Sequence, residues 1–149
     1  MKLHLKQIPP DGAHLEGEED CLIPELESEG IRCVGPMGHK IDVGISDGSL
    51  WAKGTLKQKV EMTCVACLER FVHQIAAPDF TVHTELGGPE VVDLTPFMRE
   101  DILLNLPAHP RCDREGDRQC KAAHHHAPPL EVKPKLDWSA LDKLKIENR

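Results

Sequence analysis

Ile41-Asp42-Val43-Gly44-Ile45, followed by Ser46-Asp47-Gly48-Ser49-Leu50, decides the fold class of this chain. Ile41, Val43 and Ile45 alternate with Asp42 and Gly44, the period of a strand with one buried face. Asp47-Gly48 tolerates the positive φ of a tight hairpin. A return strand is therefore expected from about Leu50 to Thr63, with Leu56, Val60, Met62 and Cys64 sharing one parity. Gly54 is expected to mark a bend or bulge within it.

Outward from that hairpin, Phe71, His73 and Ile75 alternate, Pro78 interrupts, and Phe80, Val82 and Thr84 continue. Together these segments predict an antiparallel meander. Leu3 and Leu5 place a first strand over residues 2–8, stopped by Pro9-Pro10. Asp93 or Thr95 can cap a helix, with Pro96 in the favoured first position. Leu94, Phe97, Met98, Ile102 and Leu106 fall roughly on one face of that helix, and Pro107 ends it. One amphipathic helix over one face of a sheet predicts an α+β domain, an antiparallel sheet or partly open barrel covered by one main helix.

Length and composition bound the rest. At 149 residues one α+β domain is expected over 1–123, followed by a polar tail over 124–149. In the tail, Asp137 with Trp138, Leu141 and Leu144 predicts a short terminal helix that needs a surface to dock on. With three Phe, two Trp and no Tyr, packing falls to Leu, Val and Ile. The net charge of −7 disfavours generic polyanion binding. Residues 11–29 carry Asp11, Glu16, Glu18, Glu19, Asp20, Glu25, Glu27 and Glu29 without a Lys or Arg. This run reads as a solvated, partly mobile segment with Leu22, Ile23 and Leu26 as apolar anchors. The sharper alternative is a contact surface for a basic partner such as a ribosomal protein. Met1-Lys2-Leu3-His4-Leu5-Lys6 lacks a signal-peptide apolar region, and no stretch is long and apolar enough to span a bilayer. A cytoplasmic location is expected, with the six cysteines as free thiols or metal ligands rather than disulfides.

Cys64-Val-Ala-Cys67 is the main chemistry-bearing motif. A turn carrying Cys-x-x-Cys supplies two zinc ligands at the right bite. Cys112 and Cys120 can supply the other two, although their seven-residue gap exceeds the usual spacing. His109, His124, His125 or His126 can substitute for one of them, but the histidine run reads more simply as an exposed stretch. Unligated thiols at a strand end are the plainer alternative. A dithiol redox role is disfavoured, because such a pair normally opens a helix and here leads into another strand. Cys21 and Cys33 have no telling partner and read as small core or surface residues. Lys53, Lys57 and Lys59 lie opposite in parity to Leu56, Val60 and Met62 and would project from an exposed face, near Arg70. They form a small phosphate-facing patch or an ordinary solvated face. No nucleophile elbow, phosphate-binding glycine loop or His-Glu-x-x-His is present, so no catalytic residues are assigned.

The ordered set of motifs resembles the YceD family, proteins linked to accumulation of large-subunit ribosomal RNA. The resemblance runs through Val60-Glu61-Met62-Thr63-Cys64-Val65-Ala66-Cys67-Leu68-Glu69-Arg70-Phe71, Val92-Asp93-Leu94 and Glu100-Asp101-Ile102-Leu103-Leu104-Asn105-Leu106-Pro107. It continues through Cys112, Cys120 and Trp138-Ser139-Ala140-Leu141-Asp142-Lys143-Leu144, so it covers about residues 40–145. Two features depart from the pattern: Ala66 stands where an Arg is common, and the histidine run follows Cys120. The resemblance implies a non-enzymatic helper in ribosome biogenesis. Its partner would be ribosomal RNA or a large-subunit ribosomal protein, with no membrane and no small-molecule substrate. A dithiol redox protein, or a zinc module with an unrelated partner, are the alternatives.

Overall fold

The structure is a computed structural model, and it describes residues 1–88, 90–114, 116 and 118–124. Its framework is a set of antiparallel strands: β1 (Lys2–His4), β2 (Ala13–Glu19), β3 (Arg32–Cys33), β4 (Met37–Ser46), β5 (Ser49–Thr63), β6 (Arg70–Glu85) and β7 (Val91–Asp93). Helix α1 (Thr95–Leu104) follows. The main sheet runs β2-β4-β5-β6, with β3 pairing β5 beyond the end of β4, and β1 pairs β7 in a second small sheet. The fold is α+β and mostly antiparallel, and the sheet is open rather than closed into a barrel. Among the described residues no helix is long and apolar enough to cross a membrane.

The hairpin at the centre forms as its sequence dictates. Asp47 and Gly48 take φ of 51° and 74°, so both turn residues are left-handed and their twist matches that of the flanking strands. Gly54 sits against the β4 backbone at Lys40 and Ile41. A Cβ there would lie 2.0 Å from the Lys40 carbonyl oxygen, so a side chain would force the pair apart. Beside it the ladder with β6 shifts register, Thr55 facing both Pro78 and Asp79 between the pairs Gly54↔Phe80 and Leu56↔Ala77. Pro78 has no N–H to give the ladder. The extra residue flips side-chain parity, and that flip lets Ile75 and Ala77 before it and Phe80 and Val82 after it face one core.

The inner face carries Met37, Ile41, Val43, Leu50, Leu56, Val60 and Met62, buried against Leu3, Ile23, Leu94, Met98 and Ile102. Helix α1 thus covers the sheet with Leu94, Met98 and Ile102, while Phe97 stays half exposed at its margin. The capping position of the helix is Leu94, without a side-chain cap, rather than Asp93 or Thr95; the Asp93 carboxylate accepts the Thr95 N–H at 2.9 Å just ahead of it.

Three further expectations are corrected. The first strand stops at His4 and becomes a 3-10 turn over Leu5–Gln7. The acidic segment is ordered: Ala13–Glu19 pairs along its whole length with β4, and Pro24–Glu29 forms a 3-10 helix. Ala13, Leu15, Gly17 and Glu19 turn inward while His14, Glu16 and Glu18 face solvent, so two of the strand's three acids share its outer face. Arg99 on α1 donates to the Leu22 carbonyl at 2.9 Å and pairs with Glu25, tying the loop to the helix.

The third correction concerns Cys21 and Cys33, which form a disulfide. Pairing of β2 with β4 puts Glu19 opposite Met37, so the intervening chain returns on itself. Cys33, held opposite Val60 on β5, comes within 6.1 Å of Cys21 between Cα atoms, inside the range that a disulfide bridges. The predicted tail helix around Trp138, Leu141 and Leu144, together with His125 and His126, lies outside the described residues.

Replacing Gly54 with Ala should destabilise the fold by about 3 kcal/mol or more, because the clash is with backbone. A lower urea midpoint at unchanged slope measures the loss. Thiol titration of the unfolded, unreduced chain should find four reactive cysteines and two more after reduction; six before reduction would exclude the Cys21–Cys33 bridge.

Candidate metal centre

Strand β5 delivers Cys64 directly from its last inward-facing position, two residues beyond buried Met62. The chain then reverses over four residues. The Leu68 N–H donates to the Cys64 carbonyl at 3.0 Å, and the Cys64 N–H donates to the Glu69 carbonyl at 2.9 Å. Leu68 completes the reversal with φ of 59°, an uncommon value for a non-glycine residue. The turn then feeds β6, whose Arg70 pairs with Thr63. Cys67 lies on the same side of this knuckle as Cys64.

The other two thiols come from the segment after α1. Val65 N–H donates to the Pro110 carbonyl at 2.9 Å and fastens that segment to the knuckle two residues before Cys112. Farther on, Arg118 and Lys121 both reach the Glu69 carboxylate, and Arg118 also donates to the Arg70 carbonyl at 3.2 Å. These contacts bracket Cys120. Glu69 thus tethers the segment that bears Cys120 to the knuckle.

Cys64, Cys67, Cys112 and Cys120 converge, their four sulfurs all lying within 4.8 Å of one another. Cys64 Sγ is 4.0 Å from Cys120 Sγ, and Cys67 Sγ is 3.7 Å from Cys112 Sγ. Four thiolates about 2.3 Å from a tetrahedral metal ion would stand about 3.8 Å apart, so the donor set fits a closed, structural metal site. Cys64 and Cys120 have no exposed surface, Cys112 is almost buried, and Cys67 is partly exposed. Phe71 and Ala122 pack around the cluster.

The thiols do not titrate alike. Burial works against ionisation of Cys64, but the Cys67, Cys112 and Ala66 amides and the Cys67 thiol all donate toward its sulfur, lowering its pKa to about 6. Cys112 is pushed up to about 12, first by burial and then by its contacts with the other three thiols. Cys120 is also raised: burial and the neighbouring Cys67 and Cys64 thiols outweigh the Ala122 amide, the largest single influence, which acts in the opposite direction. Negative charge thus settles on Cys64 ahead of Cys112 and Cys120, which ionise only if a cation compensates them.

All four predicted ligands are brought together, and the described residues after Cys112 begin with a turn over 112–114. His109 belongs to a separate concavity of about 520 Å³ with Arg111 and Arg114 and is not a member of the cluster. Lys53, Lys57 and Lys59 project from the outer face of β5, and Arg70 pairs with Glu61 at 3.8 Å. Sequence reading missed the Glu69 tether. Its signal was faint, an acid two residues after the dithiol answered by Arg118 and Lys121 about fifty residues on.

Metal-free, reduced protein should take up one Co²⁺ per chain and develop thiolate-to-metal charge-transfer absorption. Cys112→Ser should weaken uptake by more than the roughly 10- to 100-fold that loss of an outer hydrogen bond costs. Cys33→Ser should leave the stoichiometry unchanged; uptake that survives Cys112→Ser and Cys120→Ser would exclude the four-thiol site.

No protein-family model, no curated protein and no solved structure matches the chain, so the site is described by its own geometry.

Proposed function

We propose that this chain is a non-enzymatic accessory factor in the production or assembly of large-subunit ribosomal RNA. In this reading it acts as a docking body whose four cysteines hold a structural zinc ion. The convergence of Cys64, Cys67, Cys112 and Cys120 on one point supports the metal-holding part of this reading, and the ribosomal part rests on the family resemblance. The same four residues belong to the ordered motifs that resemble the YceD family. Between them lie β6, β7 and α1, so a metal there would lock the end of the sheet to the segment beyond the helix. Four protein ligands leave no open position for a substrate or an activated water, which suits a structural ion better than a catalytic one.

The low pKa of Cys64, about 6, favours a second reading, a dithiol redox protein. Access argues against it. Cys64 is fully buried, and its sulfur lies 4.0 Å from that of Cys120 inside the cluster. A thiolate enclosed in this way cannot reach the disulfide of a protein substrate. The knuckle also leads from strand to strand and has no helix N-terminus to stabilise an attacking thiolate.

Depletion of the protein in its native host, followed by profiling of ribosomal RNA and subunits, tests the reading. The ratio of large- to small-subunit RNA should fall, and a version with Cys64 and Cys67 both changed to Ser should fail to restore it. An unchanged ratio would refute the accessory role. Full restoration by the serine variant would refute the metal's part in it.

A further inference from the structure

We propose that the outer face of the sheet along β5 binds single-stranded RNA, with Trp51 as a stacking platform and Lys53, Lys57 and Lys59 engaging the phosphates. The inference rests on the accessory-factor reading only for the choice of RNA over DNA.

The core, the small β1–β7 sheet and helix α1 all belong to the inner face of the main sheet. On the outer face, β5 presents Trp51, Lys53, Thr55, Lys57 and Lys59 in succession. At the strand rise of about 3.3 Å per residue, Lys57 and Lys59 stand about 6.6 Å apart and Lys53 about 13 Å from Lys57. An extended single strand places its phosphates at comparable intervals, so the row can follow a nucleic-acid backbone. Lys53, Lys57 and Lys59 make no ion pair among the described residues, whereas Lys40 on the neighbouring strand is held by Glu16 at 2.7 Å. Three uncommitted cations in one line differ from a solvated face of mixed, paired charges.

Trp51 begins the row. Its indole lies across Gly44, in the space that a side chain there would fill: a Cβ at Gly44 would stand 2.4 Å from the ring. The ring is braced from below and lines an open concavity of about 460 Å³ together with Lys53, His14 and Asp42. A second concavity, of about 330 Å³, follows along the same face over Gly38, between Lys57 and Thr55 on one side and Glu16 and Glu18 on the other. The two walls differ in chemistry. The β5 wall is basic and attracts phosphate. The β2 wall offers carboxylates, which repel phosphate but accept hydrogen bonds from base amino groups. This polarity sets the backbone over β5 and turns the bases toward β4 and β2. A basic protein partner would instead face three lysines along this track, a repulsive contact.

The test uses the zinc-loaded full chain carrying Trp138→Phe, so that Trp51 is the sole tryptophan, and a labelled single-stranded RNA 12-mer of mixed sequence. Binding should quench Trp51 and raise anisotropy. Trp51→Ala should weaken binding about 5- to 150-fold, the cost of one lost stacking contact. Lys57→Gln with Lys59→Gln should reduce the slope of log affinity against log salt by about 1.4, or 0.7 per phosphate. The charge-matched control, Lys2→Gln with Lys6→Gln on the β1 segment, should leave the slope unchanged. Equal losses in the two double variants, no saturable binding at low salt, or quenching of Trp51 by a ribosomal protein but not by RNA would each overturn the proposal. If any of these occurred while depletion still lowered large-subunit RNA, this face would be excluded and the accessory role would stand.

Discussion

The backbone ladder of β5 is the interaction on which the rest of the molecule depends. This strand of 15 residues pairs with β4 and then β3 along one edge and with the 16-residue β6 along the other. Its inward positions supply the centre of the core, and its outward positions carry the lysine row. Its last inward position leads into the cysteine cluster. Two local features permit so long a ladder to stay in register with both neighbours. The missing side chain at Gly54 admits the Lys40 carbonyl, and the extra residue at Pro78–Asp79 restores the facing of β6 after its proline breaks the pattern. A sheet is held by pairings that are individually modest, so one misplaced Cβ in the middle of the central strand is felt along its whole length.

The cysteine cluster solves a different problem. Its pairs are 45 and 56 residues apart in sequence, and closing such loops without a cross-link costs conformational entropy. The described segment after α1 has little regular structure and few apolar side chains with which to pay that cost. Exposed ion pairs from Glu69 to Arg118 and Lys121 guide it but contribute little on their own. Four clustered sulfurs, three of them buried, form a site in which Cys112 and Cys120 keep their protons unless a cation compensates them. Metal ligation at this point would therefore also fold the segment.

Charge is segregated across the molecule, and the net value of −7 hides it. The acids of residues 16–29 are collected on β2 and the disulfide-closed loop, where Glu16 pairs with Lys40 and Glu25 with Arg99. The β5 wall of the outer face is basic. Summed charge describes the long-range field, whereas contact chemistry depends on which strand presents which side chains. An acidic chain can therefore carry a face suited to phosphate.

Much of this could be read in the residues themselves. Alternation at Ile41–Ile45, the Asp47-Gly48 turn and the parity of Leu56, Val60 and Met62 specify the central hairpin, because strand period and turn conformation are local properties. The start of α1 around Thr95-Pro96 is local in the same way, and so is the bite of Cys64 and Cys67. Alternation was also present at Ala13-His14-Leu15-Glu16-Gly17, but the density of acids obscured it. What pairs with what belonged to the tertiary structure. The partnership of Cys21 with Cys33, the arrival of Cys112 and Cys120 at the knuckle, the Glu69 tether and the seating of Trp51 over Gly44 all join residues far apart in the chain. Sequence alone determined the strands of the central meander and the main helix, since each residue's conformational preference acts over a few neighbours. Only the folded sheet decided which distant groups would meet, since those meetings follow from register and burial summed over the whole chain.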